Sequence, residues 1–342
     1  MTAPTRRAVL AAAALAAPAL APFGPARAQG AAWNPSRPVR LVVPIAPGGA
    51  IDITARLLGE RLQPILGQTV VVENRAGAGG NIGAQHVAQS ERDGHTIMLA
   101  AANTLAGNKF LYGPRMGSFD PLRDLAPITR TSTGTILLVV NAARPWRSFA
   151  ELLDFARRNP GRVSMGSSGT GTTSHLYIEK LKRIANVDIT HVPYRGGGPA
   201  LQDLLAGNID MMFDVMPALM PHVREGRFRA LAVGSASRVA FVPGIEAVPG
   251  MAELLPQTGP LGGIDAQVWY GMVAPGGTPA PIIRRHFEAL AQVIRSPEFA
   301  ERLVPLGFQP LADESPEAFG RFWQGEEAVW RQLVEISGAT AD

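Results

Sequence analysis

The sequence has no cysteine among its 342 residues. This absence excludes disulfide bonds, thiolate metal ligands, a cysteine nucleophile and a lipid attached to an N-terminal cysteine. Aromatic residues make up 6% of the chain and charged residues 18%. The apolar run from Ala8 to about Pro22 is too short to span a bilayer. We therefore expect a chain that is not membrane-embedded and that depends on its hydrophobic core for stability.

The first 28 residues have the form of an export signal. Arg6 and Arg7 precede the apolar run, and Ala26-Arg27-Ala28 has the small-x-small pattern of a cleavage site. The paired arginines are typical of a twin-arginine signal, and an ordinary secretion signal with two arginines fits equally well. We expect export to the periplasm, with cleavage near Ala28.

The charge of the remaining chain excludes one class of partner. The full chain carries 32 basic and 28 acidic residues, and loss of residues 1–28 leaves 29 basic and 28 acidic, a net charge of +1. A nearly neutral protein lacks the basic surface that nucleic acid requires. We expect no nucleic-acid partner and a monomeric chain.

Short apolar runs alternate with helical stretches along the chain. The predicted strands are Val39–Pro44, Thr69–Asn74, Thr96–Ala101, Ile136–Val140, Val163–Gly166, Ile189–Val192, Met211–Phe213 and Ala230–Gly234. The predicted helices are Asp52–Leu66, Ile82–Gln89, Ser148–Asn159, Thr173–Ile184, Ala200–Ala206 and Pro279–Ile294. This alternation predicts an α/β fold with parallel strands.

No low-complexity linker divides the chain once, so we expect two lobes joined by two hinge crossings around a cleft. The crossings are predicted near residues 139–144 and 263–268. Lobe 1 then comprises residues 29–140 plus 267–342, and lobe 2 comprises residues 141–266.

Three glycine-rich turns connect predicted strands to predicted helices. They are Pro44–Asp52, Gly166–Ser174 and Tyr194–Pro199. Glycine allows close backbone approach to a ligand, and a helix start presents unpaired amides to an anion. Pro199 suits a first helical position, and Gly207 suits a helix end. Three such turns favour a cleft that holds a small anion.

Two segments resemble enzyme motifs, but each lacks a glycine that its motif requires. Gly166-Ser167-Ser168-Gly169-Thr170 lacks the last glycine of a nucleophile elbow, and Gly77–Ile82 lacks the third glycine of a dinucleotide fingerprint. No P-loop is present, and the six histidines lack metalloprotease spacing. We expect no enzyme activity, no cofactor and no metal, and His175 is predicted to be structural or to line the cleft.

Several polar residues near the turns allow two interpretations. The hydroxyls between Ser167 and Ser174 either cap a helix or bind the anion. Asp52 is predicted mainly as a helix cap, whereas Asp214, at a strand end, is placed in the cleft. Arg195 is either a ligand contact or a surface charge. Trp269 and Tyr270 are either core residues or cleft lining.

These segments resemble the Bug family, the periplasmic substrate-binding receptors of tripartite tricarboxylate transporters. The segments that carry the resemblance are Pro44–Asp52, Val72–Gly80, Asp93–Thr96, Gly166–Gly171, Val192–Ala200, Arg229–Val233 and Ala274–Pro279. The resemblance covers essentially all of the chain after residue 28. It implies a type II periplasmic-binding-protein fold that closes over a small carboxylate. The chain departs from the family pattern at Ile45, where an aromatic is common, and at Ile51, where a small or polar residue is common; both changes indicate a more apolar cleft.

The resemblance also implies a set of ligand-binding residues from both lobes. They are Ala46, Pro47, Gly48, Gly49, Asp52, Asn103, Ser167, Ser168, Gly169, Thr170, Thr172, Ser174, His175, Tyr194, Gly196, Gly197, Gly198 and Asp214. The function implied is capture of a small carboxylate and its delivery to the subunits of a membrane transporter. An exported receptor that signals to a sensor protein and an exported hydrolase are the alternatives.

Overall fold

The computed structural model describes residues 33–255 and 263–341. The predicted export signal at residues 1–28 lies outside the described residues. The strands are β1 (Val39–Val43), β2 (Val70–Asn74), β3 (Thr96–Ala101), β4 (Leu125–Gly134), β5 (Ile136–Asn141), β6 (Ser164–Ser167), β7 (Thr190–Pro193), β8 (Met211–Val215), β9 (Phe228–Val233), β10 (Val268–Pro275) and β11 (Phe308–Pro310). The helices are α1 (Ala50–Leu66), α2 (Asn81–Ala88), α3 (Asn108–Tyr112), α4 (Pro121–Asp124), α5 (Phe149–Arg158), α6 (Thr173–Ala185), α7 (Gly197–Ala206), α8 (Met216–Arg224), α9 (Met251–Leu254), α10 (Ala280–Ile294), α11 (Pro297–Leu303) and α12 (Pro316–Ser337). In this part of the chain, no helix has both the length and the apolar character needed to cross a membrane.

The described strands form two mixed sheets. The first has the order β11-β4-β10-β3-β1-β2, and the second has the order β7-β6-β8-β5-β9. In the first sheet β1 is parallel to β2 and β3, whereas β10 is antiparallel to β3 and β4. In the second sheet β6 is parallel to β7 and β8, whereas β5 is antiparallel to β8 and β9. The helices that follow parallel strands cover the sheets, as expected for α/β units.

The chain passes from the first sheet to the second at Thr135, which separates β4 from β5. The prediction that this crossing lies at residues 139–144 is wrong, because Val139 and Val140 pair with β8 and β9 inside the second sheet. The strand β4 has few apolar residues, so the sequence pattern does not reveal it. Without β4, the apolar run Ile136–Val140 is taken for the last strand of the first lobe, whereas it is the first strand of the second sheet. The return passage runs from β9 to β10, and the predicted range 263–268 ends at the first residue of β10.

The two passages lie side by side. The Gly234 amide donates to the Ile136 carbonyl at 2.7 Å, and the Ala266 amide donates to the Gly234 carbonyl at 2.9 Å. A Cβ at Gly234 would stand 2.5 Å from the Ile136 side chain, so this glycine permits the close approach. The backbone hydrogen bonds therefore join the segments that connect the two sheets.

Local signals explain most element ends. The Ser148 hydroxyl accepts from the Glu151 amide at 3.2 Å, as its position before α5 predicts. The Glu151 carboxylate reaches one residue further back and accepts from the Arg147 amide at 2.7 Å. Gly207 ends α7 in the left-handed conformation, as predicted. Pro199 is the third residue of α7, not the first, because the helix already begins at Gly197.

A buried ion pair joins β4 to the segment after β11. The Arg130 guanidinium contacts the Asp313 carboxylate at 2.6 Å, and the Arg130 amide donates to the same carboxylate at 2.7 Å. The Asp313 side chain is 4% exposed. The Arg130 guanidinium also stacks on the Phe322 ring at 3.8 Å. This pair fixes a polar strand inside the first sheet.

We expect Asp313→Ala to lower the free energy of unfolding by about 3 kcal/mol, because it leaves a largely buried guanidinium without its partner. The matched control is Asp154→Ala, which removes an exposed pair with Arg157 and should cost less than about 1 kcal/mol. Urea unfolding of both variants measures the two effects. Equal losses in the two variants would contradict a special role for the buried pair.

Candidate functional site

The first glycine-rich turn joins β1 to α1. Gly49 is the N-cap of α1, and no side chain caps it. The first intrahelical bond runs from the Ile53 amide to the Gly49 carbonyl at 3.0 Å. The amides of Ala50 and Ile51 therefore precede the hydrogen-bonded turns of the helix and are available to an acceptor.

The buried side chain of Asp52 stabilises this turn through hydrogen bonds. Its carboxylate accepts from the Gly48 amide at 3.0 Å, from Arg56 at 3.0 Å through two nitrogens and from Asn74 at 2.9 Å. Burial alone would raise the pKa of Asp52, but the hydrogen bonds from Arg56, Gly48 and Asn74 lower it overall. Because both carboxylate oxygens are engaged, Asp52 positions the turn by holding the Gly48 amide, which precedes the helix, and it does not cap the helix start itself.

The second glycine-rich turn joins β6 to α6 and carries the hydroxyls. The Ser168 amide donates to the Ser174 hydroxyl at 3.1 Å, and the Thr172 and Ser174 hydroxyls lie 2.9 Å apart. The Ser168 hydroxyl donates to Asp214, which also accepts from the Val215 amide at 2.7 Å. These residues form one hydrogen-bonded network between two strand ends.

Helix α6 begins in this network. The Thr172 hydroxyl accepts from the His175 amide, and the Thr172 carbonyl accepts from the Leu176 amide at 3.1 Å. The amides of Thr173 and Ser174 therefore precede the first intrahelical bond. The helix start has both an N-cap and two further donors, so the capping and ligand interpretations are compatible.

The third glycine-rich turn lies directly against the first. The Ala46 amide donates to the Arg195 carbonyl at 3.1 Å. A Cβ at Gly198 would stand 2.2 Å from the Pro47 carbonyl oxygen, and a Cβ at Gly49 would stand 3.5 Å from the Gly197 nitrogen. The absence of side chains at these glycines allows two backbones from different sheets to touch.

A central cavity lies where the three turns meet. The described residues that line it are Pro44, Ile45, Ala50, Ile51, Gly79, Ala101, Asn103, Thr104, Ser168, Thr172, Thr173, Ser174, Gly197, Met212, Asp214, Val215, Ala218, Leu219, Val268, Trp269 and Tyr270. The starts of α1 and α6 both contribute, through Ala50 and Ile51 and through Thr173 and Ser174. The cavity therefore receives the amide ends of two helices.

The predicted site residues divide into two groups. Those that line the central cavity are Asn103, Ser168, Thr172, Ser174, Gly197 and Asp214. The others, as far as the described residues show, lie in the surrounding turns or beside a second cavity: Ala46, Pro47, Gly48, Gly49, Asp52, Ser167, Gly169, Thr170, His175, Tyr194, Gly196 and Gly198. The second cavity adjoins the first through shared residues, and it is lined by Gly169, Thr170, Tyr194 and Arg195 among others.

Sequence reasoning missed most of the apolar wall. Val215, Ala218 and Leu219 follow the predicted strand that ends at Phe213, but helix α8 was not predicted. Val268 begins β10, which was also not predicted. The available signal was the position of these apolar residues after strand ends, where ligands bind in α/β sheets. Trp269 and Tyr270 are buried and also line the cavity.

His175 lies behind the α6 turn. Its Nδ1 accepts from the Gly171 amide at 3.1 Å, and its ring stacks on His191 with centroids 4.3 Å apart. Burial, followed by the nearby His175, lowers the pKa of His191 to about 3. Of the two roles expected for His175, these contacts support the structural one, and His175 is not among the described residues that line the central cavity.

Within the described part of the chain, one group has the composition of a metal site. Ligand atoms of His175, Glu179 and His191 lie within 4.8 Å of one another. Glu179 is paired with Lys182 at 2.9 Å, and His175 Nδ1 is an acceptor, so that nitrogen lacks the proton that a metal-bound imidazole normally donates to an outer partner. The group fits a structural role better than a metal centre.

Asp214 combines burial with a position on the cavity wall. Burial raises its pKa to about 6, although hydrogen bonds from Ser168, Val215 and Ser174 lower it in part. Burial, followed by the charge of Asp214, raises the pKa of Tyr270. The carboxyl of Asp214 therefore changes charge at about pH 6.

We expect the stability of the protein to depend on the protonation of Asp214. Between about pH 4 and pH 6 the folded state binds more protons than the unfolded state, so this group's contribution to stability falls as the pH rises. Asp214→Asn should therefore become more stable relative to wild type from pH 4 to pH 7, by up to about 3 kcal/mol. Urea unfolding across this range measures the difference. A difference that stays constant across this pH range would contradict this assignment.

Comparisons with known proteins agree with this architecture. The profile of the tripartite tricarboxylate transporter family receptor, TctC, matches residues 54–338. A UPF0065 protein from the tcbD-tcbE intergenic region of Pseudomonas sp. strain P51 is 39% identical over 308 residues, which cover 90% of this chain and 88% of that protein. The structure of the periplasmic binding protein BugD is similar with a TM-score of 0.82 and 32% identity, covering 90% of this chain and 99% of BugD.

A further similar structure was solved with a ligand. Rpa4515 from R. palustris, solved with adipate, is similar with a TM-score of 0.82 and 34% identity, and the match covers 90% of this chain and 99% of Rpa4515. The two mixed sheets are those of an α/β periplasmic-binding-protein fold of two domains, as expected. The protein belongs to the TctC family, the solute-binding receptors of tripartite tricarboxylate transporters.

Proposed function

We propose that this receptor binds a small carboxylate in the central cavity and presents the loaded form to the membrane subunits of its transporter. The observation that carries the proposal is the convergence of the α1 and α6 starts on one cavity, through Ala50, Ile51, Thr173 and Ser174. Preoriented amides bind an anion with little loss of ordering entropy. The adipate-bound relative supports a carboxylate as the anion.

The predicted binding residues have two roles in this proposal. Asn103, Ser168, Thr172 and Ser174 line the cavity and offer polar groups to the ligand. The glycines of the first and third turns allow the two backbones to meet over it. Each sheet forms the core of one lobe, so this contact couples binding to closure of the lobes.

The arrangement supports a receptor without catalytic activity and with no cofactor. The one close serine–histidine pair among the described residues near the cavity is Ser167–His191, with Oγ and Nε2 2.6 Å apart. The Ser167 hydroxyl is fully buried and also accepts from the Gly169 amide at 3.2 Å. A nucleophile must reach its substrate, and this hydroxyl faces its own turn.

We expect calorimetric titration with mono- and dicarboxylates to show saturable binding to wild type. Gly198→Ala should bind at least tenfold more weakly, because its Cβ would stand 2.2 Å from the Pro47 carbonyl when the turns meet. The turns can relieve this clash by separating, so the variant should still fold. The binding loss tests contact between the turns as a requirement for capture.

The matched control is Gly325→Ala in α12, where an added Cβ meets nothing within 4 Å. This variant should bind like wild type and be slightly more stable, because alanine favours a helix. Failure of every carboxylate to bind would contradict the proposed ligand class. Unchanged affinity in Gly198→Ala would contradict the role of the contact.

We propose further that residues 1–28 direct export to the periplasm by the twin-arginine route and are removed near Ala28. The double substitution Arg6→Lys and Arg7→Lys should then block export, since this route reads the paired arginines. Immunoblots of periplasmic and cytoplasmic fractions measure the outcome, with Arg27→Lys as the control. Normal export of the double variant would indicate the ordinary secretion route instead.

A further inference from the structure

The polar groups of the central cavity lie together. The Asn103 amide and the Thr104 hydroxyl donate to the Gly79 carbonyl at 3.1 and 3.0 Å. A Cβ at Gly79 would stand 2.8 Å from the Thr170 carbonyl oxygen, so this group adjoins the α6 turn. The hydrogen-bonded network of that turn continues to Asp214 through Ser168. The side chains from Asn103 and Thr104 to Ser168 and Asp214 therefore lie on adjoining segments of the lining.

Another part of the wall is apolar. It is formed by Ile51, Met212, Val215, Ala218, Leu219 and Val268. Most of these side chains are almost completely buried: Leu219 is 0% exposed, Met212 1% and Val268 2%. Helices α1 and α8, which carry three of them, pack against each other. This wall offers contact area to an apolar ligand body and no side-chain hydrogen bond to a polar one.

The described lining of the cavity contains no lysine or arginine, and its one ionisable carboxyl is that of Asp214. In the proposed function a bound anion is therefore held by neutral donors. A second anionic group would lie against the apolar wall without a partner, or near Asp214, where like charges repel. A carboxylate that leaves water without a partner is strongly disfavoured.

From this division of the cavity we infer that the receptor selects monocarboxylates with an apolar body over dicarboxylates of the same length. The inference rests on the proposed function and narrows its ligand class. The single carboxylate meets the amide ends of α1 and α6 and the neighbouring hydroxyls. The apolar body then lies against Ile51, Leu219 and Val268. Adipate, which is bound by a relative of this chain, becomes a poor ligand here.

Matched ligand pairs test this inference on the wild-type protein. Hexanoate and adipate have six carbons each and differ in one terminal group, a methyl or a carboxylate. 4-Methylbenzoate and terephthalate have eight carbons each and form a second pair of the same kind. The affinities are measured by calorimetric titration at pH 7.5, above the range in which Asp214 titrates. In each pair of which a member binds, the monocarboxylate should bind at least tenfold more tightly than the dicarboxylate.

A substitution at another apolar residue of the cavity lining provides a second test. Ile45 is half-buried and lines both the central and the second cavity, so a longer side chain has room there. Ile45→Arg should raise the affinity for adipate relative to hexanoate at least tenfold, because a guanidinium can pair with the second carboxylate. Val71→Arg, at an exposed position, is the control and should leave the ratio unchanged.

The outcomes separate the inference from the proposed function. Equal or tighter binding of the dicarboxylates by wild type overturns the inference and leaves the carboxylate receptor intact. If the folded Ile45→Arg variant keeps the wild-type ratio of adipate to hexanoate affinity, this also contradicts the inference that the apolar lining excludes a second carboxylate. Failure of all four acids, and of a broader carboxylate panel, overturns both.

Discussion

The contact between two glycine turns is the constraint on which the site depends. Pro47–Gly49 follows a strand of the first sheet and Gly196–Gly198 follows a strand of the second, and their backbones touch because the glycines of both turns present no side chain. This contact brings the starts of α1 and α6 to one cavity. Any side chain between the turns would separate the donors that an anion must reach together. Asp52 supports the arrangement from inside α1 by fixing the Gly48 amide.

In the proposed binding mode, the polar groups of the cavity orient the ligand and the apolar groups contact its body. Neutral donors avoid the cost of burying a lysine or arginine that would need its own partner when the cavity is empty of anion. The carboxyl of Asp214 is the one ionisable carboxyl in the described lining, and it is stabilised by hydrogen bonds from Ser168 and Val215. The family membership gives the general role of solute receptor, whereas the lining of this cavity determines which solutes fit.

The sequence predicted the elements with strong local signals. All eight predicted strands occur within two residues of their predicted ends, because most of them are short apolar runs between turn residues. β4 escaped prediction because Thr129, Thr131 and Ser132 are buried in it, and their burial depends on pairing with β10 and on distant Asp313. The glycine turns were visible as candidate anion sites, but their contact with each other joins residues about 150 positions apart. No local pattern encodes such a contact.

The single residue between β4 and β5 has a consequence for how the chain tolerates change. β5 is buried on both faces: Ile136 and Leu138 pack in one apolar cluster, and Leu137 and Val139 pack in another. Because only Thr135 connects β4 to β5, a one-residue insertion there would have to shift one of the two strands along its sheet. A shift of β5 by one position would exchange the side chains of its two faces. Length variation among related chains is therefore expected in surface turns, and this junction is expected to keep its length.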